Sequence, residues 1–213
     1  MSLSEFHKKI AKEDKYRLYV KMPILTFSSW LFQGILYMDT TEKVFKILLD
    51  ILFFIPIYFI FRGYGSLSLF IAIIFTHTIN WIFNGQIFVL LKNLRLTKTE
   101  PERFIQYLND LQKRIKKENS ILAAAAFGSL SRGQLKETSD LDIRIIRKKG
   151  VINGFRACLF VLSERTRALF NKFPLDIYVL DDVTTIKRHI DKVEIKKLIM
   201  LYDPYKILEG VFK

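Results

Sequence analysis

The apolar positions of this chain fall into two regimes. Over residues 22–91 they run almost without a break, and beyond residue 98 they recur in short runs and at helical intervals. Residues 44–61 are apolar apart from Lys46 and Asp50 near their start, with one proline, Pro56. Residues 67–91 hold no charged side chain over 25 positions. A membrane-crossing helix takes about 20 largely apolar residues, so the first stretch is marginal and the second ample. Arg62-Gly63-Tyr64-Gly65-Ser66 between them reads as a tight turn, and helices joined by so short a loop are antiparallel. The pattern therefore predicts a transmembrane helical hairpin over 44–92. Upstream, residues 22–38 are interrupted by Pro23, Ser28, Ser29, Gln33 and Gly34, which fits an interfacial or re-entrant segment better than a crossing. Residues 1–21 intersperse Phe6, Ile10, Tyr16, Leu18 and Val20 with Lys8, Lys9, Lys12, Lys15 and Lys21. They fit equally a helix on an anionic surface and one packed on the rest of the protein. Residues 1–43 thus form a basic amphipathic or interfacial unit.

The second apolar stretch carries a polar stripe. His77, Asn80 and Asn84 stand at i, i+3 and i+7, on one helical face. Polar groups in an apolar surrounding need partners, and hydrogen bonding within the hairpin, or between two copies of it as a homodimer, is preferred over a substrate site. Thr97-Lys98-Thr99-Glu100-Pro101 marks a domain boundary, with Thr99 as a helix cap and Pro101 in the first turn. Phe104, Tyr107, Leu108, Leu111 and Ile115 then recur at helical spacing, with Lys113, Arg114, Lys116 and Lys117 on the other face. From residue 120 the elements alternate. Strands are predicted at 121–127 (blurred by four alanines), 141–146, 175–180 and 198–202. Helices are predicted at 131–135, 153–173 and 184–190. The expected fold of residues 99–213 is α/β (α+β), a short mixed sheet flanked by helices.

Charge adds a partner class. The chain carries 34 Lys and Arg against 21 Asp and Glu, a net +13, with 25 against 15 from residue 92 onward and 9 against 6 before it. Such a balance wants nucleic acid, anionic lipid or a polyphosphate. Basic residues before and after the hairpin, and only Arg62 in its turn, place both ends in the cytoplasm. The single Cys158 excludes an internal disulfide, fits a reducing compartment and reads as a core residue. The charged start and the lack of a small-residue cleavage site speak against a signal peptide.

The chemistry concentrates in one loop. Gly128-Ser129 follows a strand, Arg132-Gly133 comes next, Ser139-Asp140-Leu141-Asp142 opens a second strand, and Asp176 stands on a third, 34 residues beyond Asp142. On a strand, residues i and i+2 point to one side, so Asp140 and Asp142 present two carboxylates together. Gly128 permits close backbone approach to a phosphate. Ser129 offers a hydroxyl and an amide at an expected helix N-terminus, an anion site. Gly133 reads as a turn glycine and Ser139 as a loop-orienting residue. Asp181 and Asp182 read as a strand-end turn. None of His7, His77 and His189 fits the pattern.

These residues resemble the DNA polymerase beta nucleotidyltransferase superfamily, closest to its minimal nucleotidyltransferase branch, over roughly residues 103–205. The resemblance implies transfer of a nucleotide from a nucleoside triphosphate, ATP or another, to a hydroxyl-bearing acceptor. It implies two divalent ions, Mg²⁺ or Mn²⁺, which stabilise the attacking and leaving oxygens. Asp140 and Asp142 would hold both ions. Asp176 would hold the catalytic one and help deprotonate the acceptor. Gly128 and Ser129 would grip the phosphates, and Arg132 would add a contact or a salt bridge. Minimal members are usually small and soluble. The membrane hairpin departs from that pattern and points to an acceptor at the lipid bilayer rather than to a toxin–antitoxin role. A nucleic-acid substrate is not expected, since no thumb-like domain is visible. The competing reading is a non-catalytic, nucleotide-binding membrane scaffold or sensor.

Overall fold

The computed structural model describes residues 18–93, 98–186 and 198–212. The amphipathic segment expected over residues 1–17 and most of the helix expected over 184–190 lie outside the described residues. Helix α1 (Leu18–Phe32) leads through a 3-10 turn at Ile35–Tyr37 into α2 (Thr40–Phe61), then α3 (Leu67–Phe83) and α4 (Gln86–Asn93). Helix α5 (Pro101–Lys117) opens the second half. Strands β1 (Ile121–Phe127) and β2 (Leu141–Arg147), helix α6 (Val151–Phe170), strands β3 (Leu175–Leu180) and β4 (Ile199–Tyr202) and helix α7 (Ile207–Phe212) complete it.

The four strands form one mixed sheet in the order β3-β2-β1-β4. β1 runs antiparallel to both β2 and β4, and β2 is parallel to β3. The strands expected at 121–127, 141–146, 175–180 and 198–202 and the helix expected over 153–173 are therefore present, and the helix expected over 131–135 is not. β1 is an interior strand covered on both faces, which is why its pattern reads as a continuous run rather than an alternation. Ala123, Ala124, Ala125 and Ala126 are all fully buried. On one face Ala124, Ala126, Ile143, Ile145, Ile177 and Val179 pack with Phe104, Leu108, Leu111 and Ile115 of α5 and Ala157, Cys158 and Val161 of α6. On the other, Ala123, Ala125, Phe127, Ile146 and Leu180 pack with Ile186 and Leu208. Cys158 is a core residue as expected, and burial pushes its thiol up to about 12. The N-cap of α5 is Glu100, with Pro101 at the first helical position, not Thr99. Thr99 instead donates its backbone N–H to Glu137 O at 2.7 Å.

β3 is an edge strand, and an uncovered edge leaves N–H and C=O groups open to pairing with another chain. Here side chains take them. Val179 N donates to Glu42 Oε2 at 2.8 Å, and Asp181 N donates to Asp39 Oδ2 at 2.9 Å. Ile177 O accepts from the Arg165 guanidinium. The three positions are two residues apart, as the outward-facing groups of one strand must be. Two of the three caps come from the start of α2. The N-terminal helices are thus bonded to the sheet rather than tethered beside it. Asp181 reinforces the joint by accepting from Thr41 N at 3.1 Å and pairing with Arg147 Nε at 2.7 Å. Partial burial opposes its ionisation, but the Thr41 and Arg147 hydrogen bonds outweigh this and hold the carboxyl below its usual value. A depressed pKa means the stabilisation is full above the unfolded value of about 4 and is lost as pH falls through the lower folded value. Acidification should therefore raise hydrogen exchange at the start of α2 before the sheet opens. Asp181→Asn should remove that pH step.

α2 and α3 form the expected antiparallel hairpin, turned by Arg62–Tyr64 and by Gly65 at φ +60°. The long second span is not one helix. Asn84 ends α3, Gly85 at φ +70° breaks the chain, and α4 begins at Gln86. Among the described residues only the segment Thr40–Tyr64 is long and apolar enough to cross a bilayer. Ile51, Leu52, Ile55, Phe59 and Ile60 of α2, and Leu67, Phe70 and Ile73 of α3, present apolar side chains outward. The polar stripe is taken up internally. A His77 ring nitrogen meets Trp30 O at 2.9 Å, Asn80 Nδ2 donates to Asp50 Oδ1 at 2.7 Å, and Asn84 Oδ1 accepts from Arg165 Nη1 at 3.0 Å. Of these bonds only that of Asn80 to Asp50 lies within the hairpin, as expected; those of His77 and Asn84 go instead to Trp30 of α1 and Arg165 of α6.

Candidate active site

Two strand ends and one turn define the site. β2 and β3 run parallel with Asp142 opposite Asp176, and β1 ends with Phe127 opposite Asp142. Register alone therefore puts Phe127, Asp142 and Asp176 side by side on the sheet face away from α5 and α6. Gly128 follows at φ +74°, and a side chain there would overlap the Asp142 carboxylate. This is the close approach that requires glycine. Gly128→Ala should add about 1–2 kcal/mol of left-handed backbone strain and displace Asp142. A thermal melt of the variant checks this, and a melting temperature unchanged from the wild type would deny the strain.

The segment after Gly128 is not the expected helix. Arg132 N bonds Gly128 O at 3.3 Å, Gly133 N bonds Leu130 O at 3.1 Å and Gln134 N bonds Ser129 O at 2.9 Å, so it is a string of turns. Gly133 at φ +67° is a turn glycine, as read from the sequence. The helix N-terminus assigned to Ser129 is absent, which removes that argument for an anion site. What remains is a hydroxyl: Ser129 Oγ is buried and makes no hydrogen bond. A buried, unbonded hydroxyl costs free energy. Ser139 folds the following loop, its Oγ accepting from Lys136 N at 3.0 Å and its N–H donating to Lys136 O at 2.9 Å. Arg132 is exposed on the turn. Asp140 is half-buried and precedes β2 by one residue, outside the regular strand that aligns Asp142.

No motif marks the residue that holds Asp176. Arg144, on β2 and the same face as Asp142, places Nη2 3.3 Å from Asp176 Oδ2. Its Nη1 donates to Ile143 O at 2.8 Å and to Asp176 O at 3.2 Å. The guanidinium lies 4.7 Å from the ring centre of Phe127 and 4.7 Å from that of Tyr178. Tyr178 in turn lies 4.9 Å from the Arg165 guanidinium. A stack of alternating rings and cations thus runs from the site to the N-terminal helices. Burial within it pushes the Tyr178 phenol far above its ordinary value. Strand alternation could have flagged Arg144, an arginine on a buried face. The aromatic clamp depends on pairings between strands far apart in sequence.

A divalent ion is tested by the donor set. Asp142 and Asp176 in register, Asp140 just ahead and the unbonded Ser129 hydroxyl supply hard oxygens of the kind Mg²⁺ takes. The residue types suit such an ion, but their placement does not gather them: among the described residues no three acidic, histidine or cysteine side chains are grouped to hold a metal ion, and Asp176 is engaged by Arg144.

Residues 109–204 match the family described as Polymerase beta, Nucleotidyltransferase. The chain carries a polymerase beta-like nucleotidyltransferase domain over those residues, from mid-α5 to just past β4, under half its length. No curated protein matches the chain.

Proposed function

We propose that the protein is a divalent-metal-dependent nucleotidyltransferase, moving a nucleoside monophosphate from a nucleoside triphosphate to a hydroxyl-bearing acceptor and releasing pyrophosphate. The observation that carries this reading is the register pairing of Asp142 with Asp176 beside the Gly128 turn. Asp140, Asp142 and Asp176 would hold the ions, which when bound neutralise the phosphates and stabilise charge on the attacking and leaving oxygens. Gly128 lets the chain approach the triphosphate, and the Ser129 hydroxyl donates to it. Asp176, oriented by Arg144, accepts the proton of the acceptor hydroxyl.

The acceptor is proposed to lie at a membrane, with the domain and both chain ends on the cytoplasmic side. Support comes from α2, 22 residues and so about 33 Å long, and from the outward apolar side chains of α2 and α3. Patches of that kind mark membrane or protein contacts. The basic flanks fit anionic headgroups, worth about 1 kcal/mol per basic residue near the surface. A non-catalytic nucleotide sensor is the second reading, favoured by the engagement of Asp176 with Arg144. Incubation with each of the four labelled triphosphates, Mg²⁺ and a membrane extract separates the two. Pyrophosphate release supports transfer, and nucleotide binding without release supports the sensor. Co-flotation with anionic vesicles tests the location, and a protein that stays at the bottom of the gradient sinks that part.

A further inference from the structure

We infer that the groove between α5 and α6, on the side of the domain away from Asp142 and Asp176, is a binding site for a phosphate group, free or carried by a small molecule. The groove encloses about 290 Å³, and its lining includes Arg103, Tyr107, Asp110 and Arg114 of α5 with Arg167 and Asn171 at the end of α6. The four α5 positions fall at i, i+4, i+7 and i+11, on one face of the helix. Both helices cover the sheet face opposite the paired aspartates, so the sheet lies between this groove and the proposed reacting centre. The groove's chemistry does not rest on the nucleotidyl-transfer reading.

Its charge is not balanced from within. Glu164 has a side chain 1 % exposed and holds Arg114 by two bonds, Nε and Nη2 each at 2.7 Å. It also accepts from Tyr107 Oη at 3.0 Å. Burial, with the Glu164 carboxylate beside it, pushes the Tyr107 phenol far above its ordinary value, so Tyr107 adds no negative charge. Arg167 Nε stands 3.6 Å from Glu164 Oε1, and its side chain is 51 % exposed; that separation is beyond hydrogen-bond length. Arg103 is bonded to main chain, Nη2 donating to Asn171 O at 3.2 Å. Asp110 is met by Lys113 at 3.0 Å. Four cations thus face two carboxylates, an excess of two. A phosphate monoester carries about −1.5 to −2 charges at neutral pH and answers that excess. The planar guanidinium fork matches its oxygens. One water takes about 30 Å³ of liquid, so the groove has room for a phosphate with a small group attached.

The test is calorimetric titration of the full chain with inorganic phosphate and, separately, with adenosine monophosphate. Neutral detergent, a chelator and physiological ionic strength are used throughout. Saturable binding at one site per chain is expected. Arg103→Gln and Arg167→Gln leave Glu164 paired with Arg114. Each should weaken binding at least about tenfold, with the melting temperature in the absence of phosphate unchanged. If one variant melts early, the other carries the test. Lys149→Gln, an exposed cation elsewhere, and Ser129→Ala should bind as the wild type does. Tighter binding of the monophosphate than of inorganic phosphate marks an organic phosphate as the occupant, and equal binding marks free phosphate. A wild type without saturable binding overturns the site, as do folded arginine variants that bind as tightly as the wild type. A loss confined to Ser129→Ala overturns it too, since the anion then sits at the Gly128 turn, and the nucleotidyl-transfer reading is left standing.

Discussion

Asp142→Asn is expected to lower pyrophosphate release by about a thousandfold while leaving the fold in place. The carboxamide matches the carboxylate in shape, so the pairing of β2 with Phe127 and Asp176 survives. What is lost is one negative charge at the centre of the site. Ion-assisted stabilisation of a transferring phosphoryl group is worth several kcal/mol, and each 1.36 kcal/mol is tenfold in rate, so a loss of about 4 kcal/mol gives that factor. Asp142 is a cleaner probe than Asp176, whose neutralisation would also leave the buried Arg144 without its carboxylate. The measurement is coupled detection of pyrophosphate beside a thermal melt. Retention of more than about a tenth of the wild-type rate would remove Asp142 from the reacting centre.

Glu42→Leu is expected to cost about 3–5 kcal/mol of stability, the usual result of breaking a buried ion pair from one side. Glu42 and Arg165 are 3 % and 4 % exposed in their side chains and 2.6 Å apart. Removing the carboxylate leaves a buried guanidinium, and it also frees the Val179 N–H at the sheet edge. The melting temperature should fall by roughly 10 °C for a chain of this size. Replacing both partners, Glu42→Leu with Arg165→Met, should recover part of the loss, because no lone charge then remains. A single variant that melts with the wild type would mean the pair is hydrated and weak. The same variant should also depress activity, since Arg165 stacks on Tyr178 and Tyr178 clamps Arg144.

The strands and α5 were legible because their signal is local. Phe104, Leu108, Leu111 and Ile115 recur at helical spacing and line the core. The runs at 121–127, 141–146 and 175–180 are apolar enough to read as buried strands. The Gly-Ser turn and Asp142 were legible from residue type and order. The break at Gly85 was not, because an uncharged run of apolar residues carries no mark of where a helix stops. A single glycine within such a run is tolerated in many helices. Arg144 and Glu42 were not legible as partners of Asp176 and Arg165. Glu42 and Arg165 lie 123 positions apart in the chain, and nothing in either neighbourhood announces the other. Asp181 looked like a turn residue for the same reason, since its role depends on the backbone of Thr41.

The edge of β3 is closed by side chains from Asp39, Glu42 and Arg165 rather than by a fifth strand. Side chains can be withdrawn one at a time, whereas a paired strand leaves as a unit. A chain trimmed to begin near residue 99, ahead of α5, would keep every carboxylate of the site yet expose Val179 and Asp181 as an open template. Such a fragment should self-associate through that strand instead of behaving as a minimal transferase, so the smallest well-behaved unit of this protein must include the beginning of α2.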